Sequence, residues 1–186
     1  FDNSRPYQQI PFQFSIHIQE EPNGKLKYIS FLMEGTGDPR PILLKSLKEN
    51  FGNKGDILVY HQPFEKMVLK ELAEFFPEYS ELIENNFLPR LKDLKDVFDK
   101  FYYYDQKQRG SVSIKYVLPL LSDLKYDGMN IAKGDVASFE FERITYGDVP
   151  DEERQKIRKA LEEYCKLDTM AEVEIVKSLR KIVRQI

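Results

Sequence analysis

Ile57-Leu58-Val59-Tyr60-His61-Gln62-Pro63-Phe64-Glu65 is the stretch on which the fold class of this chain turns. Residues 57–60 form a short apolar run, the pattern of a buried central strand. His61 to Glu65 leads into a helix carrying Met67, Val68, Leu69, Leu72 and Phe75, which Pro77 breaks. A strand that feeds a helix is the repeating step of an α/β layered domain, and functional groups gather where such strands end. Glu65 falls on the first turn of the following helix. A carboxylate there is placed for chemistry, and it is also what the helix dipole favours without any chemistry.

Upstream, residues 1–11 are polar and aromatic, with Pro6 and Pro11, and read as an irregular lead-in. Phe12, Phe14, Ile16 and Ile18 alternate with Gln13, Ser15, His17 and Gln19, the signature of a half-buried strand. Glu21-Pro22-Asn23-Gly24 is a turn with Gly available for positive φ, and Leu26 to Met33 returns, so residues 12–33 form a hairpin. The lone Gly35-Thr36-Gly37 lacks a third glycine and makes no dinucleotide fingerprint. Asp38 reads as an N-cap with Pro39 at the first helical position, and the stripe Ile42, Leu43, Leu47, Phe51 ends at Gly52.

Downstream, the spacing predicts a short helix over about residues 78–86, a short strand or turn with Asp93 over 89–94, and helical spacing from Leu94 to Phe101. Tyr102-Tyr103-Tyr104 lies on a loop, residues 113–121 form a short helix, 126–134 a loop and 137–144 a helix. Asp151 opens a last long helical stretch to Ile186, with a break near Asp168 left open. The order hairpin, helix, strand, helix suggests a mixed sheet flanked by helices.

The composition bounds the rest. With 186 residues, 41% hydrophobic and 32% charged, the chain suits one globular domain, residues 1–186. Against 31 acidic residues stand 28 basic ones, a net charge of -3, which excludes a bulk polyanion binder but not a local basic patch. Cys165 is the single cysteine, so there is no internal disulfide and no cysteine zinc cluster; His17 and His61 are too few for an all-histidine metal site. No apolar run approaches a membrane span and no signal peptide is read, so no membrane partner is expected and a cytoplasmic location follows by default. The start at Phe1 suggests a fragment of a longer protein. No P-loop, His-Glu-x-x-His or Gly-x-Ser-x-Gly is present.

Two further groups carry candidate chemistry. Helical spacing puts the Tyr164 phenol and the Asp168 carboxylate on one face, roughly 6 Å apart at Cβ. A carboxylate can hold a hard divalent metal while a phenol orients its water; a half-buried Tyr beside a solvated Asp gives the same pattern. Lys92, Lys95, Lys100, Lys107, Arg109 and Lys115 give the middle of the chain a positive excess, interleaved with Phe101, Tyr102, Tyr103 and Tyr104. Such a segment can track a phosphate backbone and stack bases, or can be core aromatics with solvated lysines. Gly110-Ser111-Val112-Ser113 offers backbone N–H groups at a helix start, for a phosphate or simply as a capped terminus. The candidate nucleic-acid contacts are His61, Tyr103, Lys107, Arg109, Ser111 and Lys115.

His61-x-x-x-Glu65 behind an apolar strand resembles the second motif of the DEDD exonucleases, the RNase H-like 3′–5′ exonuclease superfamily. That motif usually reads Asn-x-x-x-Asp with Phe or Tyr before the acid, and Phe64 fits. Tyr164-x-x-x-Asp168 resembles the third motif in its tyrosine form. A broader resemblance, over roughly residues 1–175, is to the DUF2779 family of uncharacterised bacterial proteins. It is carried by residues 5–14, including Arg5-Pro6-Tyr7-Gln8-Gln9, by Tyr60 to Glu65, Asp93-Leu94, Gly110-Ser111-Val112-Ser113-Ile114-Lys115, Val117-Leu118-Pro119 and Tyr164 to Thr169.

This resemblance implies an α/β, RNase H-like domain lacking its first strand. It implies metal-dependent 3′–5′ exonuclease action on single-stranded DNA or RNA, with two Mg²⁺ or Mn²⁺ ions about 4 Å apart. Glu65 and Asp168 would be metal ligands, converging to roughly 8 Å, and Tyr164 would orient the attacking water. Other domains of the same longer chain, among them a RecB-like nuclease domain, would be partners. The family's first motif, Asp-x-Glu, falls before Phe1, and Asp2 matches a later position. Two of four acids are therefore missing, Glu65 stands for the usual Asp and His61 for the usual Asn, so the 186 residues alone are expected to be inactive. The competing expectation is a non-catalytic nucleic-acid- or partner-binding module of the same fold.

Overall fold

A computed structural model describes residues 4–5, 8–131 and 133–185. Readings that involve Phe1, Asp2, Pro6, Tyr7 and Ile186 lie outside these described residues. The chain groups into two compact units, Phe1–Ser46 with Tyr126–Thr169, and Leu47–Lys125 with Met170–Ile186.

In the first unit, β1 (Gln13–Gln19) pairs antiparallel with β2 (Leu26–Leu32), Phe14 opposite Phe31 and Ile16 opposite Ile29. Gly24 donates its N–H to the Glu21 carbonyl at 2.8 Å, closing the turn behind Pro22. The positive φ falls on Asn23 (66°) and not on the glycine expected to take it; Asn tolerates that region because its short polar side chain bonds locally. Helix α1 (Pro39–Asn50) starts as the sequence dictates: the Arg40 N–H donates to Asp38 Oδ1 at 3.0 Å. The Arg40 guanidinium, 1% exposed, turns back onto the same carboxylate with Nη2 2.6 Å from Oδ2.

Helices α4 (Gly134–Tyr146) and α5 (Asp151–Val183) complete this unit's framework, α5 belonging to it through Thr169. Leu32, Met33, Ile131, Ala137, Phe141, Ile144, Val149, Ala160 and Leu161 form its core. Phe12 stacks on Phe141 with centroids 4.0 Å apart. Helix α5 is continuous through Asp168, so the alternative of a break there is not taken; Tyr164 to Thr169 contains no Gly or Pro to cause one.

The polar face of β1 is not left to solvent. Gln13 Nε2 donates to the Leu161 carbonyl at 2.9 Å, Ser15 Oγ to the Cys165 carbonyl at 2.6 Å, and His17 Nδ1 lies 2.9 Å from Thr169 Oγ1. Alternate strand residues advance about 6.6 Å and every fourth helical residue about 6 Å, so the two spacings match over the two steps between these three contacts. Helix carbonyls have a second lone pair to offer, which lets a polar strand face dock without breaking the helix ladder.

In the second unit, β3 (Ile57–Val59) pairs parallel with β4 (Leu91–Asp93). The strands of the described residues therefore form two separate two-stranded sheets, not the one mixed sheet the sequence suggests. Nor is β3 a buried central strand: Leu58 is 40% exposed, because a pair of three-residue strands covers little of either face. Helix α2 (Gln62–Phe75) follows, then a helical run over residues 77–90 that widens to a π-type turn across Ile83–Phe87, both ends of which are buried. Arg90 ties this run to the loop after α1, donating Nε to Gly55 O at 2.7 Å and Nη1 to Asn86 Oδ1 at 2.5 Å. A single turn, Asp96–Asp99, leads to an irregular aromatic segment and to α3 (Ile114–Leu121). Leu72, Ile83, Phe87, Leu91, Phe98, Val117, Leu118 and Ile175 are among the buried side chains of this unit.

Candidate functional site

The junction of β3 and α2 is organised by Asp93, at the carboxyl end of β4. Its Oδ1 accepts the N–H groups of His61 (3.0 Å) and Lys95 (2.9 Å), and its Oδ2 that of Gln62 (2.8 Å). A helix start leaves its first N–H groups without intrahelical partners, and here the carboxylate that meets them comes from the neighbouring strand. His61 is bent into the left-handed region, φ 83° and ψ 60°, a conformation uncommon for a residue with a side chain. Two parallel strand ends, a residue in the left-handed region and a carboxylate thus meet at one corner.

Glu65 stands one turn further along α2. Its Oε2 is buried and has no hydrogen-bond partner among the described residues. Burial pushes the Glu65 carboxyl up to about 7, and the negative charge of Asp93 adds to the shift. An orphaned hard oxygen takes either a proton or a cation. The sequence singled out Glu65 from its place after the strand; it had no means of showing that Asp93 would cap the helix from a strand 31 residues on.

Tyr164 and Asp168 lie in the first unit, on the one helix face that their spacing predicts, and are joined by a side-chain hydrogen bond. Tyr126 also donates its OH to Asp168 Oδ1, at 2.8 Å. Burial, then the Asp168 charge and hydrogen bond, raise the Tyr164 phenol, so it keeps its proton and acts as a donor. Sequence reasoning missed Tyr126, which lies in a loop without periodicity and 42 residues from its partner. Glu65 belongs to the second unit and Tyr164 with Asp168 to the first. The expected metal ligands are hard oxygen donors of the right chemistry. Within either unit, no three of the described His, Cys, Asp and Glu side chains gather to hold an ion.

The basic–aromatic segment of the second unit divides sharply. Lys95 and Lys100 are engaged by Asp99 and Asp96 at 2.7 and 2.6 Å, each four residues away. That removes two of the six predicted cations. Tyr103 turns inward, its ring edge-on to Phe98 at 6.0 Å and its N–H on the Val97 carbonyl. The rings left at the surface are its neighbours: Phe101 is 74% exposed, Tyr102 78% and Tyr104 52%. Phe101 and Tyr104 lie 5.9 Å apart between centroids. Lys107 and Arg109 are exposed, and no ion-pair partner faces either among the described residues. Ser111 does not present a free N–H: its amide donates to the Gln108 carbonyl at 2.9 Å, and its Oγ accepts from Ser113 N at 3.4 Å. Lys115 is exposed beyond it, on the first turn of α3.

No described helix is long and apolar enough to cross a membrane. No solved structure matches the chain. Among curated proteins, the chain is similar to the uncharacterised protein UU173 of Ureaplasma parvum serovar 3, 27% identical over 207 aligned positions. The match takes in 98% of this chain and 29% of that relative, so the chain spans less than a third of the relative's length. The signature of the DUF2779 domain of unknown function covers residues 1–113, more than half of the sequence. The chain belongs to the DUF2779 family.

Proposed function

We propose that this DUF2779 domain binds single-stranded nucleic acid through residues 101–109 of its second unit. The observation that carries this reading is the exposure of Phe101, Tyr102 and Tyr104 beside Lys107 and Arg109, all on one short segment. Three large rings held at the surface lose apolar burial, so the fold gains nothing from them there. Ring faces stack on any base, and the two cations meet the phosphates between stacked bases. Single strands suit this arrangement because a duplex keeps its base faces covered. The near-neutral chain confines the attraction to the patch.

The test is an anisotropy titration of labelled oligo-dT and oligo-U at several salt concentrations. Replacing both Lys107 and Arg109 by Ala is expected to weaken binding roughly tenfold at low salt and to lower the log–log salt slope by about 1.4, at about 0.7 for each phosphate no longer neutralised. Equal affinity and slope for wild type and variant would remove the segment from the binding surface.

A second reading is hydrolytic: an RNase H-like, metal-dependent 3′–5′ exonuclease domain acting in a longer protein. It is favoured by Glu65, whose buried unpaired oxygen stands at the ends of the parallel strands, and by the Tyr164–Asp168 pair on α5. Bound Mg²⁺ or Mn²⁺ would lower the pKa of a water and stabilise the leaving oxygen. With so few acids, residues 1–186 are expected to bind Mn²⁺ only weakly, roughly in the millimolar range, and to leave end-labelled oligonucleotides intact. A full-length family member is expected to digest them with Mn²⁺ and not with chelator; Asp168→Asn abolishes this and Tyr164→Phe reduces it. A full-length protein that binds Mn²⁺ and leaves every substrate intact leaves only the binding reading.

A further inference from the structure

Gln108 lies between the two cations of the binding segment and faces the opposite way. It is 1% exposed, and Gln108 and Arg40 are the buried polar side chains among the described residues. Its Oε1 accepts the Asp105 N–H at 2.7 Å, and its Nε2 lies 3.4 Å from the Ser111 carbonyl. The Asp105 carboxylate in turn accepts the Lys107 N–H at 2.8 Å, which completes a reciprocal cap. The backbone then reverses through two consecutive left-handed residues, Arg109 at φ 51° and Gly110 at φ 76°. One buried amide therefore links both ends of the loop 105–111, and the residue before it and the residue after it are turned to solvent.

We infer that Gln108 is the positioning residue of the nucleic-acid segment, an inference that rests on the binding reading above. It touches no nucleic acid. It fixes the loop so that Lys107 and Arg109 stand on the outer side before any strand arrives. A lysine and an arginine on a loose loop must be ordered on binding, and that ordering is subtracted from affinity. Without the Gln108 amide, the Asp105 N–H loses its acceptor and the loop opens. The number of cations is unchanged, so the electrostatic signature of binding should be unchanged while its strength falls.

The experiment compares wild type, Gln108→Ala and Gln108→Met by oligo-dT titration at several salt concentrations. The methionine variant fills the buried volume and removes only the hydrogen bonds, so it keeps the test open where alanine fails to fold. Both variants are expected to bind roughly fivefold more weakly, with the wild-type salt slope and the wild-type active fraction in a stoichiometric titration. Amide exchange at Asp105 should speed up while the amides of α2 and α3 keep their protection. A residue that merely supports the fold would instead lower the active fraction and leave the dissociation constant of the folded remainder alone; that result overturns the inference. Wild-type affinity in Gln108→Met with fast exchange at Asp105 also overturns it. Failure of the wild-type protein to bind would refute the underlying reading instead.

Discussion

Asp93→Ala is expected to destabilise the second unit by about 3 kcal/mol, near one for each charge-assisted backbone hydrogen bond it removes. The three donors are His61, Gln62 and Lys95, all within 3.0 Å of the carboxylate. Two are at the start of α2 and have no intrahelical alternative, and the third closes the turn behind β4. The same carboxylate holds His61 in its left-handed conformation, so its loss lets the first turn of α2 fray. Asp93→Asn keeps one acceptor oxygen and should lose about half as much. Urea unfolding measures the totals, and amide exchange over residues 61–66 shows where the loss falls. A loss below about 0.5 kcal/mol for alanine, the ordinary range for a surface substitution, would mean that Asp93 does not organise the junction.

Glu65→Gln is expected to stabilise the protein above neutral pH. The wild-type carboxyl titrates at 4.5 when unfolded and at about 7 in the folded unit, where burial opposes its charge. Between those values the folded state binds the proton more tightly, so stability falls as pH rises through the window. Below 4.5 both states are neutral and there is no penalty; above about 7 both are charged and the penalty is complete. The full shift would be worth about 3 kcal/mol for a sealed group, and with part of the carboxyl still wet about 1–2 kcal/mol remains. Glutamine is neutral throughout, so the variant should gain that amount at pH 8, nothing at pH 4, and show a flatter profile between. Denaturation curves at those two pH values decide it. A variant less stable than wild type at pH 8 would mean that the ionised carboxylate has a partner in solution. A loss of stability confined to metal-supplemented buffer would identify that partner as a cation.

The parts of this fold that were legible are those set by local chemistry. Asp38-Pro39 announced the start of α1, Pro77 the end of α2, and the alternation from Phe12 to Gln19 the hairpin, because caps, breakers and pleat act over a few residues. What stayed hidden depends on partners far along the chain. The alternation of β1 marks an apolar and a polar face, yet Gln13, Ser15 and His17 reach carbonyls and hydroxyls about 150 residues away. The apolar run at Ile57 looks central, but a strand's place in a sheet depends on what pairs beside it, and among the described residues β3 has one short neighbour. For the candidate sites, the order of the motifs pointed to Glu65, Tyr164 and Asp168. Two groups that act on them, Asp93 through its charge near Glu65 and Tyr126 through its hydrogen bond to Asp168, came from other elements. In the aromatic segment the number of cations overstated the patch. The Lys95–Asp99 and Lys100–Asp96 pairs could have been found by their spacing; that Tyr103 alone turns inward could not.

The central claim is that residues 101–109 hold single-stranded nucleic acid. Its most direct test is photocrosslinking of the protein to an oligonucleotide carrying 5-iodouracil, followed by mass spectrometry of the adducted peptides. Exposed rings, on which bases can stack, are the expected acceptors, so the adducts should fall on Phe101, Tyr102 or Tyr104 and decline when unlabelled oligo-dT is added. Adducts confined to other peptides, or a yield that competitor does not reduce, would contradict the account.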